Sequence, residues 1–253
     1  MTPPIKHPAL PLCPNTRAGL LLPGLLVLAV TPIGPVWGAL ELAGILRVAT
    51  NYDYRGNTRS DNDPTVQLSL DISHDSGLFV GAWLSSVNLG TADIETNPYL
   101  GAAFSLSPDW QLGASVAGYF YDGRLMREDI DYGEGSLQLH YRELASFTFN
   151  VAPDYYGSGH SVLDYEAELR YPMTDVVEVS AGLGYQAGRK VFNYDSLYWN
   201  VGIAWYARPW LTLDLRYQDL HEMNERRRDD YYYEPYPDYE LDTPVIFSIS
   251  LGF

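Results

Sequence analysis

The stretch "LDYEAELRYPMTDVVEVSAGLGYQ" (Leu163 to Gln186) decides how the rest of the chain is read. Leu163, Tyr165, Ala167, Leu169 and Tyr171 alternate with Asp164, Glu166, Glu168 and Arg170. After the break "PMTD", Val177, Val179, Ala181, Leu183 and Tyr185 alternate with Glu178, Ser180, Gly182, Gly184 and Gln186. A period of two over about ten residues is the pattern of a strand, and two such runs around a tight break form an antiparallel hairpin. In water a barrel of such strands turns its apolar face inward, and in lipid it turns that face outward. Alternation alone fits both.

The pattern recurs in twelve segments: 45–54, 65–73, 78–88, 94–106, 110–121, 133–141, 145–151, 162–171, 176–186, 196–207, 210–219 and 243–253. After even-numbered segments the connections are short: "SHDSG", "SPD", "RE", "PMTD" and "RP". After odd-numbered ones they are longer and polar: "RGNTRSDND", "LGTAD", "DGRLMREDIDY", "PDYYGSGH", "AGRKVFNYD" and 221–242. A soluble sandwich has no reason to gather its long loops at one end, whereas a membrane barrel has short turns on one side and long loops on the other. Trp110 and Trp210 each follow a short connection on the apolar parity, where an aromatic girdle meets the membrane interface. The reading is all-β: a transmembrane antiparallel up-and-down β-barrel of twelve strands, with both termini periplasmic.

The polar parity is rich in Gly, Ser and Ala beside charge, as in a narrow lumen. Its charged members are Arg47, Asp71, Glu95, Arg142, Asp164, Glu166, Glu168, Arg170, Glu178, Asp214 and Arg216, seven acids against four arginines. Water-filled, such a lumen favours cations; salt-bridged and closed, it conducts nothing. Both remain open on the sequence.

Composition agrees with the class. The chain has 253 residues, 46% of them hydrophobic, with 21 Tyr, 22 Gly and a formal charge of −16. That acidity argues against a nucleic-acid partner, which needs a basic face. Residues 1–38 read as a removed signal peptide: Lys6 and Arg17 precede the apolar run Leu20 to Val30, and Val36 and Gly38 suit cleavage after Gly38. Removal takes Cys13, the sole cysteine, and two positive charges, leaving 39–253 at −16 − 2 = −18 with no thiol chemistry.

No catalytic, cofactor or metal site is expected. "GSGHS" (Gly157 to Ser161) brings Ser158, His160 and Ser161 together, but in a glycine-rich loop without an orienting third group. His74, His140 and His221 lie apart from one another without metal-ligand spacing. The loop 221–242 is either a solvated external loop, a plug in which Arg226, Arg227 and Arg228 fold against lumen carboxylates, or a cation bridge to lipopolysaccharide through Asp229, Asp230, Glu234 and Asp238. The closing "VIFSISLGF" (Val245 to Phe253) alternates cleanly to an apolar-parity aromatic. It reads as the seam strand, with Phe253 resembling the signal recognised by the barrel-assembly machinery.

"TNYDYRGNTRSDNDPTVQLSLDISHDSGLFVGAWLSSVN" (Thr50 to Asn88) resembles the opening of the TorF family of outer-membrane porins, a proteobacterial family first catalogued as Gcw_chp. The motif is carried by Tyr52, Arg55, Gly56, Pro64, Gly77, Gly81 and Trp83, over about 40 residues. The resemblance implies an outer-membrane barrel passing small hydrophilic solutes, with lipid and lipopolysaccharide as its surroundings. Two alternatives stand beside it: an outer-membrane lipid-modifying enzyme, and a closed barrel that binds a surface partner. Within the motif, Arg55–Gly56 is expected to close the first strand at the outer rim, with Arg55 paired to Asp53 or Asp61.

Overall fold

The computed structural model describes residues 40–125, 128–224 and 244–253. Residues 1–38, read above as a signal peptide, and the loop residues Arg226, Arg227, Arg228, Asp229, Asp230, Glu234 and Asp238 lie outside the described residues.

Among the described residues fourteen strands follow one another: β1 (Leu40–Ala49), β2 (Asp53–Tyr54), β3 (Asn57–Thr58), β4 (Thr65–His74), β5 (Leu78–Leu89), β6 (Ala92–Ser105), β7 (Trp110–Tyr121), β8 (Tyr132–Tyr141), β9 (Ala145–Ala152), β10 (Val162–Thr174), β11 (Val177–Ala187), β12 (Asp195–Arg208), β13 (Leu211–Met223) and β14 (Val245–Gly252). Twelve of them, β1 and β4 to β14, form one closed antiparallel barrel in sequence order, and β2–β3 is a separate two-stranded hairpin. Closure is made by β14 on β1, with Arg47 opposite Ser250 and Ala49 opposite Ser248.

The barrel is built inside out. Leu46, Val48, Leu70, Ile72, Leu100, Leu183, Val201, Ile203, Phe247 and Ile249 are exposed on the outer face. The opposite parity points inward and is buried: Thr65, Gln67, Ser69 and Asp71 on β4, Ser136 on β8, Asn150 on β9, Asp164 on β10, Arg216 and Gln218 on β13. An apolar exterior around a charged interior suits strands whose outer solvent is hydrocarbon.

The tight-turn end is as the sequence suggests. Residues 75–77, 106–109, 142–144, 175–176 and 209–210 join strands in two to four residues. Trp110 and Trp210 stand there with outer faces exposed, and Trp110 packs on Tyr141 with centroids 4.8 Å apart. The other end differs in three places. "LGTAD" is not a long loop: β5 and β6 extend to a two-residue turn, Gly90–Thr91, which the φ of +64° at Gly90 permits. Strand β13 runs on through Met223, taking His221 and Glu222 into the wall. The first strand ends at Ala49, not Tyr54. Beyond it, Asn51 Oδ1 accepts hydrogen bonds from Thr58 Oγ1 at 2.6 Å and Ser60 Oγ at 2.9 Å, folding the chain back on itself away from the wall.

The seam carries one contact beyond its ladder. Gly44 and Phe253 exchange backbone hydrogen bonds of 2.9 and 3.0 Å, and the Phe253 ring lies over Gly44 where a Cβ would stand. A ring laid across a glycine restores the packing that the missing side chain gives up. Deletion of Phe253, or Gly44→Leu, is expected to lower the fraction that migrates as a folded, heat-modifiable band by about half or more. A substitution on the outer wall away from the seam, Val201→Ala, should leave that fraction unchanged.

Candidate functional site

The long-loop half of the lumen is filled by the first loop, which folds inward. Tyr54, Arg55, Gly56 and Asn57 form a two-residue hairpin turn in which Arg55 and Gly56 have φ of +56° and +84°. Both central residues with positive φ define a type I′ turn, where glycine is at ease and arginine is not. A Cβ on Gly56 would stand 2.8 Å from Leu220 and 2.9 Å from Tyr198, so the tip touches the wall made by β12 and β13.

Arg55 is 1% exposed and holds the hairpin to the far wall. Its Nη1 and Nη2 donate to the two Glu134 carboxylate oxygens at 2.8 and 2.7 Å. Its Nε lies 3.1 Å from Asp164 Oδ1 but off-line for a hydrogen bond, an electrostatic contact only. Asp164 in turn accepts from Asn150 Nδ2 at 2.9 Å and Tyr198 Oη at 2.8 Å. A fork-to-fork guanidinium–carboxylate pair is among the strongest charged contacts, and it fixes orientation as well as distance.

Arg59, from the same loop, is wrapped in tyrosines. Its guanidinium sits 4.4 Å from the Tyr54 ring centroid and 5.2 Å from that of Tyr156, and Nη2 donates to Tyr155 Oη at 2.9 Å. Tyr119 and Tyr132 stack at 4.2 Å, and Tyr54 Oη lies within 3.1 Å of Tyr119 Oη and 3.2 Å of Tyr132 Oη. Tyr52 packs against Trp83 at 5.2 Å, and the Tyr99 ring lies over Gly81. Six of the motif residues are thereby explained: Tyr52, Arg55 and Gly56 build the hairpin, Gly81 and Trp83 belong to the wall it meets, and Gly77 (φ +87°) makes the β4–β5 turn. Pro64 lies just before β4 and is exposed. The expectation that Arg55 closes a rim and pairs with Asp53 or Asp61 is corrected: its partners are 79 and 109 residues away in sequence.

Beneath the hairpin lies a polar chamber of about 90 Å³, roofed by Asn51, Tyr52, Asp53 and Arg55. Arg47, Glu166, Glu168 and Arg216 line it, with Gln67, Gln138, Asn200 and Gln218. The other charged positions of the polar parity also face the interior. Asp71 accepts from Tyr99 Oη, Glu95 from Asn97 Nδ2 at 2.8 Å, and Glu178 from Tyr206 Oη at 3.3 Å. Glu168 pairs with Arg170 at 2.5 Å and Asp214 with Arg216 at 3.4 Å. Arg142 is the exception and a correction: it stands exposed in the β8–β9 turn with φ of +49°, paired with Asp109 of another turn at 2.8 Å. Alternation places a residue on a face but does not say where the strand stops.

Sequence reading missed Glu134, although it shares the inward parity of Ser136 and Gln138 and was legible on that ground. The tyrosine cluster had only composition to announce it. Ser158, His160 and Ser161 lie in an exposed loop, where Ser158 Oγ accepts from the His160 backbone N–H at 3.3 Å; no hydrogen bond joins the His160 ring to either hydroxyl among the described residues. No group of three metal-ligating side chains is present among the described residues. The arrangement turns hydrogen-bonding groups and charges of both signs toward one chamber.

A barrel with an apolar exterior, a charged lumen and an inward-folded first loop has the architecture of a porin-type channel. The chain belongs to the family described as "Bacterial protein of unknown function (Gcw_chp)", whose sequence profile matches residues 36–250. No curated protein matches it by sequence. Among solved structures it resembles the KdgM porin, with a TM-score of 0.55 at 6% identity over 83% of this chain and 98% of that one. It also resembles the KdgM porin in complex with disordered oligogalacturonate, with a TM-score of 0.54 at 6% identity and the same coverage. At these identities the likeness is one of fold.

One group in the hairpin titrates near neutrality. Burial pushes the Asp53 carboxyl up to about 7, although the Gly56 backbone N–H and the guanidiniums of Arg216, Arg59 and Arg47 pull the other way. With the hairpin undocked, Asp53 returns to water and its ordinary value of 3.8. The docked form therefore keeps a proton that the undocked form has lost, and docking weakens as pH rises from 3.8 to about 7. Hydrogen exchange at the Arg59 amide, which bonds Tyr52 O at 2.7 Å, should be about fiftyfold faster at pH 7 than at pH 5 after correction for intrinsic rates. Asp53→Asn should remove that difference.

Proposed function

We propose that the protein is an outer-membrane channel for passive diffusion of small hydrophilic solutes, with its first loop as the gate. The reading rests on one combination: an apolar outer wall around a polar interior that the wall alone does not fill. Inward carboxylates outnumber inward guanidiniums, which supports a preference for cations. The hairpin is one continuous segment joined to the wall at both ends, so it can leave the lumen without breaking the barrel ladder. Its docking depends on the Arg55–Glu134 pair, because removing one partner of a buried ion pair costs about 3–5 kcal/mol by stranding the other. The signal peptide, the periplasmic termini and a lipopolysaccharide setting follow from the same reading.

The tyrosine-filled half of the lumen favours a second reading, a barrel that stays closed and serves through its loops. Planar-bilayer recording separates the two. Wild-type protein should open rarely, Arg55→Ala should raise open probability at least about tenfold, and the reversal potential in a salt gradient should have the cation-selective sign. Silence of both proteins at every voltage and pH would end the channel reading and leave the fold untouched.

A further inference from the structure

The Arg55 guanidinium sits in a seat whose acceptors all belong to the wall. Glu134 on β8 takes Nη1 and Nη2 on its two carboxylate oxygens at 2.8 and 2.7 Å, while Asp164 and Glu166 on β10 stand 3.1 and 3.8 Å from Nε. Asp164 is held without help from the hairpin. Ser136 Oγ donates to Asn150 Oδ1, Asn150 Nδ2 donates to Asp164 Oδ1 at 2.9 Å, and Tyr198 Oη donates to Asp164 Oδ2 at 2.8 Å. That chain of bonds joins β8, β9, β10 and β12, which the barrel ladder keeps in register. The cation, by contrast, comes from a loop. Among the described residues Glu134 and Asp164 form ion pairs with no arginine but Arg55.

When the hairpin leaves the lumen, these carboxylates lose their cation while the wall keeps them where they are. Stranding charge in this way is costly, and a solute cation of the right shape offsets the cost. Shape selects among cations. An ammonium is a compact point charge, whereas a planar guanidinium gives two parallel N–H groups to Glu134 and turns its remaining edge to Asp164. We propose that Glu134 and Asp164 form a binding site for small guanidinium solutes, a site that Arg55 fills in their place while the hairpin is docked. The solute and Arg55 compete for one seat, so binding holds the gate open. The site deepens the channel reading and rests on it, since a solute reaches these carboxylates only once the hairpin has moved.

Two further features agree. Arg55 takes a φ of +56° in a type I′ turn, a position that favours asparagine or glycine, so an arginine there serves through its side chain. Arg55 and Glu166 also line the chamber beneath the hairpin, so the seat opens on the lumen and a substituent on the guanidinium has space there. Charge and shape can be tested apart: methylammonium has the charge without the fork, and urea has the fork without the charge.

The test uses the full protein in detergent micelles, with methylguanidinium, methylammonium and urea as probes. Calorimetric titration of Arg55→Ala, whose seat has no arginine, should give a Kd for methylguanidinium at least about tenfold below that for methylammonium, with no binding of urea. Glu134→Gln in the same background should bring methylguanidinium to the level of methylammonium. Wild-type protein is read by hydrogen exchange at the Arg59 amide, which a ligand of the undocked form alone speeds by one plus the ratio of its concentration to Kd. At ten times the Kd measured on Arg55→Ala, methylguanidinium should accelerate exchange about elevenfold and methylammonium about twofold or less. Equal binding of the two cations by Arg55→Ala, or equal acceleration in the wild type, overturns the proposal. If Arg55→Ala gives no folded, heat-modifiable band, the wild-type comparison decides alone. Because no current is measured, bound methylguanidinium with silent bilayers would uphold the site and retire the channel reading alone. Conductance without bound methylguanidinium would retire the guanidinium site alone.

Discussion

Everything in this molecule follows from an apolar-faced sheet that leaves no backbone edge unpaired. A strand in hydrocarbon must pass each N–H and C=O to a neighbour, and for strands the only answer without an open edge is a closed ring. The ring closes where β14 meets β1, and the ladder is carried one pair further by Gly44 and Phe253. Closure at twelve strands sets a circumference, and the circumference sets a volume that wall side chains alone do not fill. The interior therefore needs another occupant, and on the long-loop side the chain supplies its own.

That occupant is held by charge, which explains its position better than its stability. Placing Arg55, Glu134 and Asp164 out of water is costly, and their attraction offsets the cost only in one geometry. The contact therefore acts as an address: the hairpin seats with the Arg55 fork on Glu134 or it does not seat. The strained positive φ of Arg55 agrees with this, since a residue that needs its side chain at the tip of a type I′ turn accepts a conformation most side chains avoid. Arg59 does the complementary work, filling space between tyrosine faces where an ammonium would be too strongly hydrated. Apolar rings with polar edges suit this zone, because they pack closely while their hydroxyls bond one another and the Arg59 guanidinium.

The wall was legible and the plug was not, for one reason. Alternation such as that of Leu163 to Tyr171 reports which face a residue takes, and inversion of that face was readable from Trp110, Trp210 and the loop asymmetry. Where alternation continues past the wall it misleads. Tyr52 and Tyr54 share the parity of the outward-facing Leu46 and Val48, yet both lie inside, because Asn51 turns the chain first. Arg142 erred in the same way at the other end. Glu134 carried the correct parity and could have been read; its pairing to Arg55 could not, since nothing local links residues 79 apart.

The sequence by itself determined the strands, their order, the outward face and the segment that closes the ring, since all of these follow from period-two patterning and neighbour-to-neighbour connection. Tertiary structure alone decided what the lumen contains. The hairpin's inward course, the Arg55–Glu134 clamp and the gathering of Arg47, Glu166 and Arg216 around one chamber are meetings of the first loop with β1, β8, β10 and β13. Such meetings depend on how a closed wall brings distant strands across a shared interior, and no local pattern records that distance.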